Sequence, residues 1–186
     1  MYDKKEDADI LRLFADETTK QQAFEYLVKK YQKRLYWHVR RMVLNHDDAD
    51  DLVQDVFVKI WRGLANFRQE SQLYSWIYRI ASNECITFLK RQKLKKNIPL
   101  EDVSEYLAEN IVDSTYFDGD KIQRQLQRAL LTLPDKQRLV FNMKYFDEMK
   151  YEEISAILGT SVGALKASYH LAVKKIEYYF AEQEKF

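Results

Sequence analysis

The chain holds one cysteine, two prolines and four glycines in 186 residues. Cys85 alone cannot form an intramolecular disulfide, which suits a reducing compartment. So few turn-forming residues leave little material for the tight turns that strands need. Long helices joined by short connections, an all-α class, are therefore expected. Nothing approaches the ~20 consecutive apolar residues of a membrane span, so membrane insertion is not expected. Met1–Ile10 reads MYDKKEDADI, with no apolar run behind a basic start. No secretory signal is expected, and the expected location is the cytoplasm. There is no Gly-rich phosphate loop or nucleophile elbow. His38, His46 and His170 are too scattered to make a metal site with Cys85. Neither a metal nor a cofactor is expected.

What is present is the mix of a folding, soluble chain: 46% hydrophobic and 32% charged residues. The formal net charge of +1 conceals a pattern. Residues 1–96 carry 19 Lys+Arg against 14 Asp+Glu, and residues 121–186 carry 11 against 8. Between them, residues 97–120 contain seven acids and no base. Two mildly basic blocks flank an acidic connector, so near-neutral bulk charge does not argue against a nucleic-acid partner.

The first block reads as helices throughout. Ala23, Phe24, Leu27, Val28, Tyr31, Leu35, Val39 and Met42 recur at three- and four-residue spacing, which predicts one long amphipathic helix. Asn45 suits its end, and Asp47 or Asp48 suits the N-cap of the next. That helix carries Leu52, Val53, Val56, Phe57, Ile60, Trp61 and Leu64 on a broad apolar face. NFRQESQ (66–72) reads as a loop. A third helix from about Leu73 buries Trp76, Ile77, Ile80, Ala81, Cys85, Phe88 and Leu89. The acidic stretch reads as a linker, with a short helix around residues 103–107. From Lys121 helical periodicity resumes, with Pro134 in the first turn of a further helix. The expected domains are 1–96 and 121–186, joined by the linker 97–120.

The segment 151–179 carries the sharpest signal. A short helix holds Ile154, Ile157 and Leu158, Gly159 supplies a turn, and Ser161 caps a second helix. Ser155, four residues before Gly159, leaves room where two helices cross. Leu165, Tyr169, Ala172 and Ile176 give the second helix an inward face. This is the pattern of a helix-turn-helix. At ~100° per residue, Gly163, Ala167, His170 and Lys174 lie opposite that face, with Lys166 at its flank. Small residues at the start admit the helix to a major groove, and the lysines and histidine can reach phosphates and base edges. A plain helical hairpin with a solvated lysine face is the bland alternative.

These residues resemble the extracytoplasmic-function group of bacterial RNA polymerase sigma factors, over about residues 21–180. ADDLVQDVFVKIW (49–61) is similar to the family's polymerase-binding helix. SWIYRIASNECITFLKR (75–91) is similar to its promoter-melting, −10-reading helix. LPDKQRLVFNMKY (133–145), followed by EEISAILGTSVGALK (152–166), resembles its −35-reading module. The resemblance implies a factor that binds core RNA polymerase and directs promoter-specific initiation. On the second helix, Asp51, Gln54, Asp55 and Val58 lie away from the apolar stripe, an acidic and amide patch suited to docking another protein. By resemblance, that partner is a coiled coil of the polymerase's large subunit. The aspartates at 47, 48, 50 and 51 also favour the helix start on their own account.

Arg79, Ser82, Asn83, Thr87 and Lys90 fall on the outer face of the third helix, where Asn83 can bond a base edge and Arg79 and Lys90 can hold phosphates. In the preceding loop, Arg68, Gln69, Ser71 and Gln72 supply groups suited to an unstacked base. The resemblance makes this loop the pocket for a flipped −10 base. Trp76 is read as core. Ser161, Gly163, Lys166, Ala167, His170 and Lys174 are the expected −35 contacts. The chain departs from the family at Thr87, where Asp is common, and at Tyr169 and Ala172, where Arg is common. Lys166, Lys174 and Lys175 supply charge without arginine's bidentate fork. The linker, by resemblance, threads the polymerase's RNA exit path, where its carboxylates imitate a nucleic-acid strand or act simply as a self-repelling spacer.

The implied partners are core polymerase, promoter DNA in duplex and single-stranded form, and an anti-sigma factor. The chain is expected to be a monomer when free, or bound one-to-one to that factor. It is not expected to be an enzyme. Asp47, Asp48 and Asp51 match the DDxxD spacing of some magnesium-dependent prenyl-transferring enzymes, but no second acidic cluster faces them. The serious alternative is a helix-turn-helix regulator with an unrelated helical sensory domain, which would bind duplex DNA alone.

Overall fold

The computed structural model describes residues 6–95 and 121–183. The expected linker, including its short helix at 103–107, lies outside the described residues. Eight helices account for most of what is described: α1 (Asp7–Phe14), α2 (Lys20–Val43), α3 (His46–Leu64), α4 (Leu73–Lys95), α5 (Lys121–Leu131), α6 (Asp135–Tyr145), α7 (Tyr151–Leu158) and α8 (Val162–Gln183). No described helix is long and apolar enough to cross a membrane.

The first domain is α1–α4. Helix α2 follows its periodicity, burying Ala23, Leu27, Tyr31, Leu35, Val39 and Met42. Helix α1 lies against it, with Ile10 and Phe14 buried. Asp7 on α1 accepts from the Tyr31 hydroxyl at 2.8 Å and pairs with Lys30 at 2.8 Å. Between α2 and α3 the structure differs from the sequence expectation. Leu44, not Asn45, takes the left-handed conformation that ends α2, with φ 63°. Asn45 instead caps α3, its side-chain oxygen accepting from the Asp48 amide at 3.0 Å. A left-handed leucine costs about 1–2 kcal/mol. Burying Leu44 to 1% exposure returns about 1.5–3 kcal/mol, enough to hold it there. Within α3, a Cβ at Gly63 would lie 2.9 Å from the Trp76 ring, so this glycine lets α4's tryptophan approach α3 closely.

The second domain is α5–α8. Its own small core comprises Ala129, Leu130, Leu133, Phe141, Ala172 and Ile176. Phe141 stacks on Tyr169 (ring centroids 5.5 Å apart) and on Tyr145 (5.3 Å). Pro134 occupies the N-cap of α6 rather than its first turn. Gly159 ends α7 in the left-handed region at φ 65°, and Ser161 Oγ accepts from the Ala164 amide at 3.3 Å, as a helix-turn-helix requires.

The two domains do not hang apart on a string. Leu139, Val140, Met143, Ile154, Ile157 and Leu165 of the second domain join one continuous buried core with α2 and α4 of the first. Helix α4 lies at the centre, burying Ile77, Ala81, Cys85 and Leu89.

Two outcomes follow from this packing. Replacing Asn45 with Ala removes the α3 cap and is expected to lower unfolding stability by about 1 kcal/mol, read from the urea midpoint at unchanged slope. Burial pushes the Cys85 thiol up to about 12. A raised value keeps the thiol protonated below that pH, so the native chain should resist iodoacetamide at pH 8, and only urea-unfolded chain should label. Rapid labelling of native protein would show that α4 is not held as described.

Candidate functional site

Each expected face can be located. On α3, the apolar stripe Leu52, Val53, Val56, Ile60 and Leu64 is buried, which turns Asp51, Gln54, Asp55 and Val58 outward, all exposed. Val58 is 45% exposed, and Trp61, one turn on, is 38% exposed although its ring meets Phe14 and Phe24 edge-on. A carboxylate–amide patch beside two accessible apolar side chains is a protein-docking surface in its chemistry. Trp61 extends it; the sequence pattern had placed that residue wholly on the apolar face.

In the loop before α4, Arg68, Gln69 and Gln72 are exposed and Ser71 is half-buried. Gln69 has φ 57°, a left-handed turn that bends the loop back. On α4 the picture is mixed. Asn83 and Lys90 are exposed and Thr87 half-buried, and all three line a cavity of ≈ 470 Å³ whose opposite wall is Lys136, Leu139, Val140, Leu158, Thr160, Leu165 and Ser168 of the second domain. Arg79 is directed at the same domain. Its Nε donates to the Ile157 carbonyl at 3.1 Å and its Nη2 to the Ala156 carbonyl, both in the last turn of α7.

Ser82 corrects the expectation that it lies on the outer face. It is 1% exposed, with its hydroxyl 3.1 Å from His38 Nε2. The second domain overhangs only part of that face, and Ser82 lies at the floor of the cavity between them. His38 Nδ1 is 2.9 Å from Asp147 Oδ2 on the α6–α7 turn. A carboxylate only accepts, so Nδ1 carries the proton of that bond, and Nε2 shares the second bond with the Ser82 hydroxyl. Arg41 Nη1 donates to the other Asp147 oxygen at 2.6 Å. The sequence reading missed His38, Arg41 and Asp147 as a group. Its one visible trace was a histidine on the inward side of α2, between Leu35 and Met42.

Beside this node, Tyr74 and Tyr78 on α4 meet at 4.5 Å between ring centroids. Burial pushes Tyr74 up to about 12 and raises Tyr78 too, so both keep their protons and present neutral ring faces.

In the helix-turn-helix, Ser161, Gly163, Lys166, Ala167, His170 and Lys174 are all exposed along one side of α8. Lys166 Nζ sits 5.8 Å from the Tyr151 ring centroid. Tyr169 and Ala172, the positions where the family commonly has arginine, lie on the inner side: Ala172 is fully buried and Tyr169 stacks on Phe141. Arginine at Ala172 would need this helix packed differently.

Residues 27–95 match the family model for Sigma-70 region 2, and residues 123–176 match that for Sigma-70 region 4. The chain is 30% identical over 167 residues to the ECF RNA polymerase sigma-E factor of Escherichia coli K12, covering 84% of this chain and 86% of that one. It is 28% identical over 158 residues to the ECF RNA polymerase sigma factor SigW of Bacillus subtilis (81% and 84% covered). In fold it is similar to CnrH, solved in complex with the cytosolic domain of CnrY, with a TM-score of 0.67 and 23% identity over 95% of this chain and 97% of that one. It is also similar to the sigma factor RpoE of Bartonella quintana, solved with the anti-sigma factor NepR, at a TM-score of 0.64 and 21% identity over 85% and 96%. Two region matches in order, with 30% identity to a relative over most of both chains, place this chain among the ECF RNA polymerase sigma factors, which direct the polymerase to promoters.

Proposed function

We propose that this sigma factor divides its work by domain: residues 1–96 dock core polymerase and engage the −10 element, 97–120 link, and 121–186 read the −35 element. Asp51, Gln54, Asp55 and Val58 hold the polymerase. Arg68, Gln69, Ser71 and Gln72 receive an unstacked −10 base, while Asn83, Thr87 and Lys90 follow the strand and Arg79 joins them once it leaves the α7 carbonyls. Ser82 serves as a support for His38 rather than a contact. Ser161, Gly163, Lys166, Ala167, His170 and Lys174 meet the −35 duplex. The observation that most supports this reading is the simultaneous exposure of the α3 patch and the α8 face on separate domains, one suited to protein and one to duplex DNA. The chain works in the cytoplasm, contributes binding and DNA opening rather than chemistry of its own, and is held as a one-to-one complex by an anti-sigma factor when not on the polymerase. A match to Sigma-70 region 2 in the first domain disfavours the regulator with an unrelated sensory domain.

Run-off transcription with purified core polymerase on fragments of the source genome tests the whole: discrete start sites that depend on the added chain are expected. Duplex binding by the free chain with no factor-dependent initiation would return the regulator reading. Asp55→Arg, at an exposed position, should keep the circular dichroism spectrum and lower core-polymerase affinity by at least about tenfold. Lys166→Ala should leave holoenzyme assembly intact, weaken promoter binding about equally across sequences, and reduce the log–log salt slope by about one.

A further inference from the structure

The cavity between α4 and the second domain, ≈ 470 Å³, has the size of a small-molecule site. Its first wall is one strip of α4, where Ser82, Asn83, Ile86, Thr87 and Lys90 recur at helical spacing. The opposite wall comes from α6, the end of α7 and the start of α8. Two chemistries meet in this lining. Leu139, Val140 and Leu165 are buried, and Ile86 and Leu158 are half-buried, so the interior is apolar. Lys90 and Lys136, one from each domain, are exposed, and no acid lines the space. Asp135, beside Lys136 in sequence, is taken by Lys93 at 2.6 Å and by Arg138 at 3.5 Å. Lys90 and Lys136 form no ion pair among the described residues. An apolar interior with two uncompensated cations in its walls is complementary to a molecule with an apolar body and an anionic head. The walls belong to packed domains, so the space admits a small molecule while they stay together.

We propose that this cavity binds a small amphipathic anion of the medium-chain carboxylate class, with its alkyl chain on Leu139, Val140 and Leu165 and its head at Lys90 and Lys136. Each domain supplies one cation and part of the apolar wall, so neither holds the ligand alone. Binding is therefore linked to domain packing: the ligand stabilises the packed form by mass action, and loosening the packing weakens the ligand. The site does not rest on the promoter assignment. It shares Asn83, Thr87 and Lys90 with it, so a bound carboxylate and a DNA strand on α4 compete for those side chains.

The test titrates octanoate into the isotope-labelled full chain at fixed ionic strength and follows backbone amide shifts by nuclear magnetic resonance. Amides of Ile86 and Thr87 on α4 and of Val140 and Ser168 in the second domain should move along one saturation curve, while that of Val58 on α3 stays still. Octanol, which lacks the charge, and acetate, which lacks the chain, should each bind at least about tenfold more weakly. Lys90→Ala combined with Lys136→Ala, both at exposed positions, should keep the circular dichroism spectrum and weaken octanoate at least about tenfold. Arg62→Ala combined with Lys95→Ala removes the same charge at exposed positions elsewhere and should leave the affinity within about twofold. Shifts confined to one wall, octanol binding as tightly as octanoate, an equal loss in the control pair, or no saturation would each overturn the proposal. A chain that saturates as described yet fails run-off transcription would keep this site and lose the promoter assignment.

Discussion

Each domain of this chain finishes a helix of the other. The last carbonyls of an α-helix have no intrahelical donor, and a helix end buried without one is costly. At the end of α2, Arg138 and Asn142 of α6 donate to the Met42 and Arg41 carbonyls, at 3.2 and 3.5 Å. At the end of α7, Arg79 of α4 donates to the carbonyls of Ala156 and Ile157. Two of these three donors are guanidinium groups, set where the helix dipole favours positive charge. The apolar contact between the domains needs this exchange, because α2 and α7 could not bury their ends against a partner that offered only methyl groups. Lys93 of α4, 2.6 Å from Asp135 in the first turn of α6, adds the opposite case, an acid at a helix start tied to the other domain.

The same exchange also lowers the cost of separating the domains. Arg138 is 2% exposed, but its Nε has no hydrogen-bond partner among the described residues, and neither does Asn142 Oδ1. A buried polar atom left unpaired costs about 1–3 kcal/mol, so these two offset part of what the carbonyl capping contributes. Water would satisfy both once the domains part. A seam made of charged donors and incompletely paired groups separates at lower cost than one made only of leucine and isoleucine, whose whole buried area would be returned to water.

Periodicity made much of this legible beforehand. The α2 stripe, the boundaries of α4, and the Gly159 turn with its Ser161 cap all follow from local rules that act within a few residues. An amphipathic pattern says which side of a helix is covered but not by what. Helix α4 shows the limit: Ile77, Ala81, Cys85 and Leu89 mark one buried side, while Ser82 is buried on another, against His38 and at the edge of a cavity walled by the second domain. No local signal could place Asp147 against His38, since the two lie 109 residues apart and their meeting depends on the whole docking. Leu44 failed for the converse reason. Its left-handed backbone breaks the local preference for glycine or asparagine, and only its tertiary burial makes that tolerable.

The geometry also orders events. Asp51, Gln54, Asp55 and Val58 of α3 are exposed with the domains packed together, so the proposed docking on polymerase through them requires no opening. Engagement of a phosphate by Arg79 does. Arg79 cannot hold the carbonyls of α7 and a phosphate together, and the cavity that Asn83, Thr87 and Lys90 line is walled by the helix-turn-helix itself. A ligand shifts such an equilibrium only by its differential affinity for the two forms. The α3 patch, equally accessible in both, therefore gives polymerase no leverage on closure by itself. Leverage has to come from a contact that only the open form can make. Surfaces that meet the two domains at a separation the closed form cannot reach would supply it, as would a strand that competes for Arg79. On the proposed assignment, the free chain is thus able to find polymerase while Arg79 is held by α7, and frees that guanidinium only where both domains are engaged at once.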